Sequence, residues 1–234
     1  MTALFLTVIM LSGFMPLDVL ADSAPTDISR SVSMSQLTTL RAPHDDETEE
    51  ASAGSANAID VKISVDGTVT IVTKALKDMA SGWTNSTITG ANLSVQSGTA
   101  ASITYTSAEL SGGGGDRKYT FRITGVSPTP TNTPVRIRLR ISRSGSGSSN
   151  RIDVFVNVTV VPSVKFYTDQ NQLYAKISVD SMGASIGVNN MPADPQISGL
   201  VFQRWETLNG THFTSSTPVN ADMDVYAKWG AEVS

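Results

Sequence analysis

From Ile59 onward the chain alternates between apolar and polar residues. Ile59, Val61, Ile63 and Val65 are spaced by polar neighbours, and Asp66-Gly67 then marks a hairpin turn into Val69 and Ile71. The same period of two returns in Leu93 and Val95, in Ile103 and Tyr105, and in Tyr119, Phe121 and Ile123. It is longest in Val135, Ile137, Leu139 and Ile141, and in Ile152, Val154, Val156, Val158 and Val160. Successive side chains of an extended strand point to opposite faces, so each stretch predicts a strand with one apolar face. Breakers fall between them, at glycines 112–115, at Pro128-Thr129-Pro130 and over 144–150. Only 73–81 has the pattern of a short helical turn.

About seven such strands within 58–162 predict an antiparallel β-sandwich. In pattern and length it resembles the immunoglobulin-like domains of bacterial surface proteins. Residues 22–57 read differently: Ser, Thr, Asp and Glu dominate, and His44-Asp45-Asp46-Glu47-Thr48-Glu49-Glu50 is nearly all polar. Such a segment has too little apolar surface to offset its ordering entropy, which predicts a disordered acidic tail. The run lacks the alternating ligand spacing and turn glycine of a calcium loop.

Residues 1–21 read as an export signal. An apolar stretch over 3–15 precedes Pro16, and Val19-Leu20-Ala21 is a small-x-small cleavage site, although no Lys or Arg comes before the stretch. The stretch is shorter than the about 20 residues a bilayer span needs, so no membrane span is expected after signal removal.

Residues 163–230 form a separate module beyond Pro162-Ser163. It contains Val164-Lys165-Phe166, then Met191-Pro192-Ala193-Asp194-Pro195, then a stretch from Gly199 through Phe202 to Trp205. Gly210, Phe213, Ser216-Thr217-Pro218-Val219 and Val225-Tyr226-Ala227-Lys228-Trp229 follow. In order and wording residues 164–229 resemble the Listeria–Bacteroides repeat, or internalin B-repeat, of bacterial surface proteins. Arg204, Leu200 and the 169–172 turn depart from the usual wording. The resemblance implies a small β-grasp-like fold, used as a spacer or weak interaction module at the cell surface, without catalysis. A unit this small depends on its large rings. Phe166, Phe202, Trp205, Phe213, Tyr226 and Trp229 are therefore the expected structural core of the repeat, and exposed tryptophans stacking on a glycan are the alternative.

Charge and chemistry narrow the picture. Residues 22–50 hold seven acids and two bases, whereas 51–163 hold eleven bases and six acids. The chain has no cysteine and two histidines, His44 in the acidic run and His212 beside a turn. That leaves no thiolate chemistry, no spacing for a metal site and no evident base for a serine nucleophile. Glycines 112–115 lack the spacing of a phosphate loop and lead into a strand, so no cofactor is expected. One feature does suggest chemistry. Arg136, Arg138 and Arg140 alternate with buried-type residues and so share one face of a strand, with Arg143 and Arg151 flanking the next loop and Arg122 expected on a neighbouring strand. The stripe is either a solvated outer face or a site for an anionic polymer, and the acidic 45–50 segment could fold back over it.

The sequence thus predicts a mainly β, exported or cell-surface protein that binds rather than catalyses. Its expected partner is a host or cell-wall polymer, anionic where the arginine stripe is the contact, or a surface protein, with no specific nucleic acid. A passive spacer or stalk is the alternative, and a carbohydrate-active enzyme the remote one.

Overall fold

The computed structural model describes residues 38–40, 42–84, 87–145, 147–169 and 172–231. The export signal expected at 1–21 lies outside the described residues. In chain order the strands are β1 (Thr38–Leu40), β2 (Thr48–Ala51), β3 (Ile59–Ser64), β4 (Thr68–Thr73), β5 (Ile88–Ser97), β6 (Ile103–Tyr105), β7 (Glu109–Ser111) and β8 (Lys118–Gly125). They continue with β9 (Val135–Arg143), β10 (Arg151–Val161), β11 (Ser163–Tyr167), β12 (Leu173–Ser178), β13 (Leu200–Thr207), β14 (His212–Phe213) and β15 (Met223–Ala231). A one-turn helix, α1 (Leu76–Met79), sits where the helical turn was expected. The fold is mainly β.

Two sheets build the sandwich. One runs β3-β10-β9-β5; the other runs β2-β4-β8-β6, with β7 also pairing β8. The period-two apolar residues of both sheets meet in one core that includes Ile63, Ile71, Phe121, Ile137, Leu139 and Val156. Two details differ from expectation. The sheets are mixed, because β3 lies parallel to β10 and β2 parallel to β4. Asp66-Gly67 does reverse the chain, with Gly67 N donating to Ser64 O at 2.9 Å, but β3 and β4 part into different sheets. A turn sequence specifies reversal, not the pairing of its flanks. Here both flanks bury an apolar face, and burying them against each other across two layers satisfies both. Gly125 lies at that crossing, where a Cβ would stand 2.4 Å from the Ser64 carbonyl oxygen.

The tail expected to be disordered over 22–57 is ordered wherever it is described. β1 pairs in parallel with β12. His44 lies along the edge of β3, its backbone N donating to Lys62 O and its Nδ1 accepting from Lys62 N at 2.9 Å. Asp45 is buried, and its carboxylate accepts from Ser64 N at 2.8 Å and Ser64 Oγ at 2.6 Å. Beyond β2, Ala53 bridges to Val154 on β10. Hydrogen bonding by edge backbone and one buried carboxylate replaces the apolar burial the segment lacks. Composition counts only the apolar burial.

The terminal module is a single sheet ordered β1-β12-β11-β15-β13-β14. Its first and last own strands, β11 and β15, pair in parallel at the centre; β1 also joins β12 in parallel, and the other pairs are antiparallel. Phe166, Trp205 and Phe213 form its core with Ile177, Ile186, Val219 and Val225. Only Pro162 separates β10 from β11.

Candidate functional site

β9 places its arginines as the spacing predicts. Val135, Ile137, Leu139 and Ile141 are fully buried, while Arg136, Arg138 and Arg140 point outward from the β3-β10-β9-β5 sheet. Each guanidinium then finds a different environment. Arg140 forms a fork to Asp153 on β10, with Nε and Nη2 at 2.8 and 2.7 Å from the two carboxylate oxygens. These hydrogen bonds hold the Asp153 carboxyl below the usual range against the opposing effect of burial, and the same bonds raise the Arg140 guanidinium. Arg136 lies over the Phe155 ring, 4.6 Å from its centroid, and reaches Ser55 O at 3.5 Å. Arg138 leans the other way, onto β5, with Nη2 3.4 Å from Ser94 Oγ. Its Nε is buried without a hydrogen-bond partner. Among the described residues no carboxylate pairs with Arg136 or Arg138, so the ladder keeps a positive excess despite the Arg140–Asp153 pair.

The other predicted members separate. Arg143 ends β9 over Trp83, 4.8 Å from the ring, bonded to Asn150 Oδ1 at 2.9 Å and Gly82 O at 2.6 Å. It clamps the loop before β5. Arg122 is exposed on β8, which belongs to the facing sheet, so it is not a neighbour of the stripe. Arg151, by contrast, opens β10 opposite Ser142, and strand parity puts it on the outward face with Asp153, whose carboxyl its charge also helps to lower. The acidic segment does not cover the stripe, because β2 pairs with β4 in the other sheet and Glu50 meets Lys118 at 3.5 Å. Sequence reasoning passed over Asp153, Phe155 and Trp83. Alternation put Asp153 and Phe155 on the outward face of β10, and a parity count across a predicted β9–β10 hairpin would have set them beside the arginines.

In the module the six expected core rings divide. Phe166, Trp205 and Phe213 are 0, 2 and 1% exposed, and Phe166 meets the other two edge-on at 5.0 and 5.6 Å. Phe202 packs on this group, 5.2 Å from Trp205. Trp229 closes its flank, half-buried, with Nε1 donating to Thr168 O at 3.1 Å. Tyr226 is not a core residue: the alternation of β15 turns it to the other face, where it stacks on Tyr167 at 5.4 Å. Counting rings by size missed that parity. With Trp205 inside, no tryptophan pair is presented for glycan stacking.

His212 lines a depression of about 260 Å³ with Asp194, Thr214 and Ser215, whereas the sequence placed it away from any cleft. Its ring has no hydrogen-bond partner among the described residues, so nothing orients it as a base for the neighbouring hydroxyls. Among the described residues no group of three or more His, Asp or Glu could hold a metal ion. No helix among them is long and apolar enough to cross a membrane.

No protein-family model matches the chain, and no curated protein matches it. Among solved structures it is similar to a solution structure of amebosin, at 18% identity over 50% of this chain and 98% of that one, with a TM-score of 0.26.

Proposed function

We propose that the chain is an exported surface protein that works by binding an anionic polymer across the outer face of the β3-β10-β9-β5 sheet. The observation that carries this is the arginine ladder, in which Arg136 and Arg138 face outward with no carboxylate partner among the described residues. A flat sheet face offers many weak contacts rather than one deep one, which suits a repeating polymer. Charge steering makes such contacts salt-sensitive. Strand order supports the immunoglobulin-like reading of the sandwich. The module's central parallel pair supports the β-grasp-like one, and the wording that residues 164–229 share with the Listeria–Bacteroides repeat supports a bacterial surface as the setting. The test is retention of residues 38–234 on a heparin column. Replacing Arg136, Arg138 and Arg140 with serine is expected to remove salt-dependent retention; unchanged elution rejects the polymer site. Export is tested separately, by sequencing the N-terminus of secreted protein, which should begin at Asp22.

One observation favours a spacer as the second reading. The sandwich and module are stitched where they adjoin: Lys176 Nζ donates to Val65 O at 3.1 Å, Lys165 meets Asp66 at 3.6 Å, and Thr131 Oγ1 donates to Met182 O at 3.3 Å. A stiff joint serves a stalk. On that reading no polymer is retained by either form.

A further inference from the structure

The two outer strands of the arginine-bearing sheet are treated differently by the chain. Along β3 the edge is covered by the chain itself: His44 pairs with Lys62, and Asp45 takes the Ser64 donors. The inward residues of that strand, Val61 and Ile63, are accordingly 2 and 0% exposed. Along β5 nothing among the described residues pairs with the outer edge. Its inward residues, Leu93 and Val95, pack on the core but stay half-buried, and Ala91 is exposed. The core is therefore finished at one side and left short by a strand at the other.

β5 is also poorly defended. Edge strands are ordinarily protected by shortness, by lysine or proline, or by bulges that twist the edge away. β5 runs for 10 residues, Ile88-Thr89-Gly90-Ala91-Asn92-Leu93-Ser94-Val95-Gln96-Ser97, with no charge and no proline. Its two register shifts, between Ile88 and Gly90 and between Val95 and Ser97, bracket an unbroken register from Ala91 to Val95. Between them the backbone is regular, uncharged and paired with no strand on its outer side, with the Gln96 side-chain amide reaching Ser94 O and Val95 O at 3.5 and 3.3 Å.

Charge then specifies what fits. Of the three arginines only Arg138 is aimed at this side, its Nη2 at Ser94 Oγ, whereas Arg140 and Arg136 turn to Asp153 and Phe155 on β10. Ser94 cannot neutralise it, and the buried Nε stays unpartnered. A strand added beside β5 would lie about 4.8 Å away, bringing a side chain opposite Ser94 within reach of the guanidinium.

We propose that the free edge of β5 accepts an extended acidic segment of another polypeptide by strand addition, with a carboxylate opposite Ser94 paired to Arg138 and apolar side chains capping Leu93 and Val95. Backbone hydrogen bonds would supply affinity and the alternating side chains selectivity. This goes beyond the polymer reading, since it uses the strand edge rather than the sheet face.

The test uses residues 38–234 and three fluorescent peptides followed by anisotropy. One peptide alternates valine with glutamate, a second alternates valine with lysine, and the third is the glutamate peptide N-methylated at alternate residues, made in both registers. The glutamate peptide is expected to bind, the lysine peptide to bind more weakly, and one N-methylated register to lose binding. Arg138→Gln, checked for an unchanged melting temperature, should weaken the glutamate peptide about fivefold, as for one partly exposed ion pair, and leave the lysine peptide no weaker. Equal affinity for both charges, or indifference to N-methylation in both registers, overturns the proposal. So does self-association of the peptide-free chain that protects the β5 amides from hydrogen exchange, since the occupant is then a second copy. Heparin retention separates this from the polymer reading: retention without peptide binding rejects the edge site alone, and peptide binding without retention rejects the polymer site alone.

Discussion

The sandwich and the terminal module bury their cores with different materials. In the sandwich core, eighteen buried aliphatic residues outnumber three buried rings, Trp83, Tyr119 and Phe121. In the module, seven buried aliphatic residues share the core with three rings, and Phe166 touches both Trp205 and Phe213. A core of many small parts loses a little when one is trimmed. A core centred on three rings loses its middle.

The largest expected effect is therefore in the module. Trp205→Ala should cost about 3–5 kcal/mol, as aromatic truncations in cores do, and unfold the module while the sandwich stays folded. Near-ultraviolet circular dichroism against urea would split into two transitions; a single unshifted one would put the ring outside the core. Asp45→Ala comes next, at about 2 kcal/mol, because it strands the buried Ser64 N–H and hydroxyl at the edge of β3. That loss should appear in the sandwich transition only. Ile137→Val, by contrast, should cost about 1 kcal/mol by calorimetry, the sandwich sharing the loss among its neighbours.

The smallest effect concerns acid. A carboxyl whose folded pKa lies below its unfolded one binds fewer protons when folded. The stability from Asp153 is thus fully present above the ordinary value of 3.8 and fades as pH falls through the lowered folded value. Asp153→Asn should change neutral stability by less than about 1 kcal/mol and flatten the acid limb of the sandwich transition. An acid limb unchanged by this variant would show the pair to be idle.

These contrasts also show where the sequence could be read. Alternation is a local property, and it located β3 to β6 and β8 to β10, and put Arg136, Arg138 and Arg140 on one face. Pairing is not local. Nothing beside Asp66-Gly67 says that β3 will seek β10 instead of β4, and nothing in His44-Asp45 says that the two will lie along β3 and cap Ser64. The arginine site was legible as a stripe but not as a set of partners. Arg140 and Asp153 face each other only once β9 and β10 are paired in register. Tyr226 failed for the opposite reason, since its own strand's parity turned it out and ring size was given more weight.

β1 has a consequence for how the molecule is made. Its partner in the sheet is β12, with Thr38 opposite Ala175 and Leu40 opposite Ile177, across the entire sandwich in sequence. A chain synthesised from its N-terminus presents residues 38–40 long before residues 173–178 exist. Closing so long a loop is slow, and contacts so distant in sequence lower folding rates. The sandwich can take up β2 and β3 while β1 waits, so the last pairing in the molecule would join its earliest described residues to one of its latest strands. A chain held unfolded until it has crossed a membrane escapes that order, because all partners then become available together.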